Sequence, residues 1–180
     1  MQATRRPTST TASTTSERGP ALRILIVVAS LSGNTRELGR HIAARCRSAG
    51  HAVHWQEADD LRQGPPLPVD EADLVLLGCW TDNAGRTPSE MKAWVAGIAE
   101  RGQRPRQVAV FGTGETQWGQ EYYCGAVHRL IRYFDSGYPP LEIEQMPHGR
   151  RHAAAIDTWT DAVLDHYWST TDADHRRHHA

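Results

Sequence analysis

Six consecutive residues, Ser30-Leu31-Ser32-Gly33-Asn34-Thr35, place three hydroxyls, a carboxamide and a glycine directly after a short apolar run. A tight turn of that composition, leading into a helix, aims backbone N–H groups, side-chain donors and the positive end of the helix dipole at one point. The chemistry this suits is capture of an anion by neutral hydrogen bonds, and a phosphate monoester fits best. An ordinary helix N-cap would need only Ser32 or Asn34; three hydroxyls in six residues favour the phosphate reading. No G-x-x-x-x-G-K-[ST] and no G-x-G-x-x-G is present, which argues against nucleoside triphosphates and dinucleotides. Hydrolytic chemistry finds no support either, because no Ser/His/Asp or Cys/His set and no paired carboxylates with a defensible geometry can be assembled. His41, His51 and His54 have no carboxylate or cysteine at metal-ligand spacing and read as surface histidines, and His148 and His152 flank the last loop. Cys46 and Cys79 read as small buried apolar side chains.

The elements that must hold this turn follow from the apolar pattern. Arg23–Ala29 is a continuous β-branched run, as in a strand buried on both faces of a parallel sheet, and Asp73–Gly78 and Gln107–Phe111 repeat the pattern. His51–Glu57 and Pro140–Met146 alternate apolar and polar residues and read as the two edge strands. Helical patterns lie over Asn34–Ala49, Pro88–Arg101, Tyr122–Ser136 and Arg151–Tyr167, with Pro88 at a helix start and Gly50 and Gly102 where helices stop. Pro65, Pro66 and Pro68 exclude a helix between the second and third strands. Strand alternating with helix is the pattern of a parallel α/β sheet, in which ligands bind at the C-terminal ends of the strands.

Composition bounds what the whole chain can do. With 39% hydrophobic and 23% charged residues it has the balance of a soluble globular domain, and it contains no apolar run of the ~20 residues that span a bilayer. Twenty basic residues against twenty-one acidic give a net charge of −1, so no general field attracts nucleic acid or an anionic membrane. Three widely spaced cysteines with no C-x-x-C pair and no leader-like start suit a reducing cytoplasm. Residues 1–20, rich in Ser, Thr and Arg, are expected to be a disordered extension, and 169–180 a disordered His-rich tail. The domain between them, 21–168, carries fifteen basic and eighteen acidic residues, a net −3.

Two segments carry a specific resemblance. Ser30–Thr35 is similar to the phosphate loop of flavodoxins, T/S-x-T/S-G-N-T. Val110–Val127, VFGTGETQWGQEYYCGAV, resembles their loop after the fourth strand, FGSGD followed by an aromatic residue and then FCGAV. Gly78–Gly85 occupies the position of the other flavin-contacting loop, and the likeness extends over nearly all of 22–167. It implies a three-layer α/β sandwich with a five-stranded parallel sheet of order 2-1-3-4-5, and non-covalently bound FMN.

Carried over by position, the resemblance implies that Ser30, Leu31, Ser32, Gly33, Asn34 and Thr35 form the phosphate site. Trp80, Thr81, Asp82 and Asn83 would lie along the ring, and Thr113, Gly114 and Glu115 would meet its pyrimidine edge through backbone groups. Trp118 is the first candidate to stack on the exposed face and Tyr122 the second, with Tyr123 and Cys124 closing the loop. The chain departs from the family at Asp82, where many members have Trp, and at Glu115, where Asp is more frequent. The implied function is low-potential electron transfer, with transient contacts to a flavoprotein reductase and a redox acceptor enzyme, by a monomer without nucleic-acid or membrane partners. Two alternatives share the fold. One is a flavodoxin-like activator of manganese ribonucleotide reductase, suggested by Trp118-Gly-Gln-Glu-Tyr122; the other is an FMN-dependent quinone reductase. Outside the class stands a flavin-free interaction module.

Overall fold

A computed structural model describes residues 19–60, 67–145 and 148–178, with side chains as far as 171. Five strands, β1 (Arg23–Ala29), β2 (Ala52–Glu57), β3 (Leu74–Trp80), β4 (Val108–Gly114) and β5 (Leu141–Glu144), alternate with four helices, except that no helix stands between β2 and β3 among the described residues. The helices are α1 (Asn34–Ser48), α2 (Ser89–Glu100), α3 (Gly125–Phe134) and α4 (Gly149–His178). All strand pairs are parallel, in the order β2-β1-β3-β4-β5, as the resemblance implies. The order reverses at β1, so the loops after β1 and β3 part there and leave a crevice at the C-terminal edge.

The period of two along β1 sorts its side chains between two cores. Ile24, Ile26 and Val28 pack with Leu38 and Ile42 of α1 and with Ile156, Trp159 and Val163 of α4. Leu25, Val27 and Ala29 face Met91, Trp94 and Ile98 of α2 and Val127 and Leu130 of α3. Burial on both faces is why the central strands read as unbroken apolar runs. It also makes them rigid supports for the loops at their ends.

Element ends depart from the sequence expectation in three places. The third and fourth strands run on to Trp80 and Gly114, so Trp80, Thr113 and Gly114 are held in the sheet rather than in loops. The third helix starts at Gly125, leaving Tyr122 and Tyr123 in the preceding turn. The largest correction concerns the C-terminus: α4 continues through His178, across most of the segment expected to be a disordered tail. Polarity is no stop signal, and no glycine or proline interrupts the chain from Arg150 onwards. Hydroxyls of Ser169, Thr170 and Thr171 bond back to the carbonyls of Asp165, His166 and Tyr167 at 2.9–3.0 Å. The expected disordered extension lies outside the described residues except for Gly19 and Pro20, and Gly19 sits against the indole of Trp168. No helix among the described residues is long and apolar enough to cross a membrane.

Candidate functional site

The turn after β1 is built around Gly33, which takes a left-handed conformation (φ 96°) as the residue preceding α1. A Cβ added there would meet only the Nη1 atom of Arg36, 4.0 Å away, so the space above the turn is open. Ser30 Oγ accepts the backbone N–H of Arg36 at 3.2 Å, which leaves its own hydroxyl proton free to donate. Thr35 is buried, and its hydroxyl pairs with that of Thr113 at 2.8 Å, tying the turn to the end of β4. Nearby, Arg36 Nε donates to Glu57 Oε1 at 2.8 Å; that hydrogen bond holds the guanidinium firmly charged.

The loop after β3 follows a tighter path. Asp82 and Arg86 form an isolated bridge, with backbone hydrogen bonds in both directions, closing a 3-10 turn over Asn83–Gly85. The Asp82 carboxylate accepts the Asn83 N–H at 2.7 Å and faces Arg86 at 3.6 Å. Ala84 (φ 55°) and Gly85 (φ 73°) are both left-handed, an uncommon conformation for alanine. Helix α3 fixes this shape from below. Arg129 Nε donates to the Gly85 carbonyl at 3.1 Å, Thr81 Oγ1 accepts from Ala126 N at 3.4 Å, and Gly125 lies so close that a Cβ would stand 2.5 Å from Gly85 O.

The loop after β4 carries a second 3-10 turn, Thr116–Trp118. The Trp118 indole is 71% exposed, with its N–H donated to Glu115 Oε2 at 2.7 Å, while Glu144 of β5 accepts from the backbone and hydroxyl of Thr116. Trp80 is turned the other way, its indole N–H donating to Glu90 of α2 at 2.6 Å. Cys124 (φ 46°) closes the turn; burial raises its thiol pKa to about 12 and that of the Tyr123 phenol above its ordinary value.

These loops enclose a cleft of about 360 Å3, within the range of small-molecule sites. Of the residues expected from the sequence, Leu31, Ser32 and Asn34 line one end. Trp80, Thr81, Asp82 and Asn83 line one side, and Thr113, Gly114, Glu115, Trp118 and Tyr122 the other. Ser30, Gly33, Thr35, Tyr123 and Cys124 do not line it; Thr35 and Cys124 are buried beneath it. Ala84 and Gly85, at the end of the Gly78–Gly85 segment that the resemblance marks as flavin-contacting, also line it, as does Gln145, which carries no sequence signal. Gln145 is brought in by its own left-handed backbone (φ 44°) and a 2.7 Å bond from its N–H to the Gly114 carbonyl. Two cavities of similar volume lie elsewhere, one beside Tyr133 and Phe134 and one between α1 and α4, but neither gathers loops from the sheet's C-terminal edge.

The donor set and shape fit FMN. Open space over Gly33, with hydroxyls and helix N–H groups beneath it, suits a phosphate, and a groove between Trp80 at the end of β3 and Trp118 in the loop after β4 suits a flat ring.

The family model for flavodoxins matches residues 26–135. Among curated proteins, the chain is 31% identical over 140 residues to probable flavodoxin 2 of Bacillus subtilis (strain 168), covering 75% of this chain and 90% of that protein. It is 30% identical over 109 residues to the flavodoxin of Nitratidesulfovibrio vulgaris (strain DSM 19637 / Miyazaki F), covering 59% and 71%. Among solved structures, oxidised flavodoxin 2 from Bacillus cereus superposes with a TM-score of 0.66 at 25% identity, covering 79% of this chain and 98% of that one. Oxidised flavodoxin 1 from the same organism gives 0.69 at 21%, covering 80% and 98%. With more than half of its length matched and a curated relative covered almost end to end, the chain belongs to the flavodoxin family, whose cofactor is FMN and whose general work is electron transfer.

Proposed function

We propose that this protein is a monomeric low-potential electron carrier that receives electrons from a flavoprotein reductase and passes them to a redox acceptor enzyme by transient contact. The observation that carries the reading is the convergence of the three loops at the C-terminal edge of the sheet on one open cleft, flanked by a tryptophan that is 71% exposed. The chemistry supplied by FMN when bound is one-electron transfer, and no side chain of the chain need exchange a proton with substrate.

The residues divide the binding work. Ser32 and Asn34 at the end of the cleft hold the phosphate, on a turn shaped from beneath by Ser30, Gly33 and the buried Thr35. Backbone groups of Thr113, Gly114 and Glu115 orient the pyrimidine edge, while Trp118 covers the outer face with its indole held in place by Glu115. Trp80 and Tyr122 complete the walls. Asp82, Glu115 and Glu144 put carboxylates at the ring end. Negative charge there opposes accumulation of further negative charge on a reduced ring, which lowers the potential. Leu31, 75% exposed, and Trp118 leave an apolar rim for small, short-lived contacts.

The test is an ultraviolet-visible spectrum of the protein after desalting, followed by stepwise dithionite titration. A retained flavin spectrum reduced in two resolved one-electron stages is expected. No retained flavin, and no quenching of added FMN fluorescence, would leave a flavin-free module. Rapid reduction of quinones by NAD(P)H with the purified protein alone would identify a quinone reductase instead.

A further inference from the structure

The phosphate turn read from sequence has no cation of its own, yet the fold brings one back over it. Arg36 is the third residue of α1, and its backbone N–H already belongs to the turn through Ser30 Oγ. Its side chain does not run out into solvent. Nε is held at 2.8 Å by Glu57 at the end of β2, and Glu57 Oε1 also accepts the Trp55 indole N–H at 3.1 Å. The terminal amine Nη1 lies 4.0 Å from where a Cβ on Gly33 would stand, at the edge of the open space above the turn.

The form of this ion pair matters. Arg45 of α1 and Asp161 of α4 make the usual two-pronged contact, with Nε to Oδ1 at 2.8 Å and Nη2 to Oδ2 at 2.6 Å. Arg36 bonds Glu57 through Nε alone, and Glu57 Oε2 is buried with no hydrogen-bond partner. The carboxylate therefore fixes the guanidinium by its inner nitrogen and leaves Nη1, on the Gly33 side, without a contact to Glu57. A planar fork held in this way matches phosphate geometry.

Resting on the FMN reading above, we propose that Arg36 is the specificity-determining residue at the phosphate end: its guanidinium, positioned by Glu57, supplies the charge by which the cleft prefers a phosphorylated flavin to the same flavin without phosphate. Ser30, Ser32 and Asn34 provide shape and neutral hydrogen bonds; Arg36 provides the dependence on charge. Glu57 acts through Arg36 and is a positioning residue, and its own charge partly offsets the attraction.

The test compares dissociation constants for FMN and riboflavin, by flavin fluorescence quenching, in the unsubstituted chain, Arg36→Gln, Arg36→Lys and Glu57→Gln. Arg36→Gln should weaken FMN about tenfold, equivalent to ~1.4 kcal/mol, and leave riboflavin within twofold. The retained riboflavin affinity shows that the cleft is still folded. Arg36→Lys should recover part of the preference, and Glu57→Gln, which keeps an acceptor for Nε without the charge, should widen the FMN-to-riboflavin ratio. Added salt should weaken FMN binding more in the unsubstituted chain than in Arg36→Gln. An unchanged ratio in Arg36→Gln, whether both affinities fall together or neither moves, overturns the proposal. A chain that binds no FMN before substitution overturns the cofactor reading itself, so the two failures are distinguishable.

Discussion

The two ends of the cleft are built on different principles. At the phosphate end, one short stretch of chain makes the turn, caps the helix and presents the donors, and its one left-handed residue is a glycine. At the ring end, the Asp82–Arg86 turn contains a left-handed alanine, and it is held by groups forty or more residues away: Ala126 N–H on Thr81 and Arg129 on Gly85. Local geometry therefore shapes the anion turn, with Thr35–Thr113 and Arg36–Glu57 as its tertiary ties, while packing against α3 shapes the ring site. A perturbation of α3 should damage the ring end and spare the phosphate end.

The largest effect is expected at Gly125. A Cβ there would lie 2.5 Å from Gly85 O and 2.8 Å from Gly85 Cα, both backbone atoms that cannot swing aside. Gly125→Ala should cost about 1–3 kcal/mol by overpacking. Because the strain falls on the Asp82–Arg86 turn, FMN and riboflavin should weaken together. Urea melts and paired flavin titrations check this, and a loss confined to FMN would contradict the division between the ends. Arg129→Met comes next. It keeps the aliphatic stem but removes the donor from the Gly85 carbonyl, for a loss of about 0.5–1.5 kcal/mol at this exposed side chain. Amide exchange should quicken across 82–86 while exchange in the 31–36 turn is unchanged.

The same contrast explains what could be read in advance. The strands and the phosphate turn were legible because a buried parallel strand and a glycine-marked turn write themselves into adjacent residues, whereas the strand order followed only from the likeness to flavodoxins. The resemblance marks Gly78–Gly85 as a flavin-contacting segment, but the shape of its end, at Ala84 and Gly85, is not written in the local sequence. Nothing about an alanine announces a positive φ, and the arginine that holds the turn is forty-four residues from Gly85. Gln145 entered for the same reason, through a bond to the end of a neighbouring strand. Arg36 was visible as a residue of the first helix, but its direction depends on Glu57, twenty-one residues away on the edge strand. Polar composition at the end of α4 reads as disorder, whereas hydroxyls bonding back to helix carbonyls continue the helix.

Trp118 offers a smaller and sharper test of the two-ended view. Its indole is exposed and tethered only at its N–H, so Trp118→Ala should leave stability nearly unchanged. Loss of an aromatic contact with the ring should cost about 1 kcal/mol of affinity, roughly fivefold, and by the same factor for FMN and riboflavin. Set beside Arg36→Gln, which should move FMN alone, it gives opposite signatures from the two ends of one cleft. A Trp118→Ala protein that binds both flavins as before would move the stacking role to Tyr122.

The mildest effect concerns the thiol beneath the ring end. Cys124 is buried at the turn into α3, and desolvation, aided by the charge of Glu142, raises its pKa to about 12. A thiol raised in the folded state favours folding through its protonated form. Its contribution is therefore complete below the ordinary cysteine value near 9 and is lost as pH rises from there towards 12. Cys46, buried under α1 and likewise raised to about 12, acts in the same direction at the other end of the molecule. Denaturation midpoints should thus be flat between about pH 7 and 8.5 and fall above 9, with Cys124→Ser and Cys46→Ser each removing part of the slope. At pH 8 a disulfide reagent should label none of the three cysteines until urea is added, since all are buried. Rapid labelling of Cys124 in the native protein would mean that the turn opens without global unfolding. The ring end would then be the loose part of the fold, held less firmly by α3 than the contacts at Gly85 and Gly125 require.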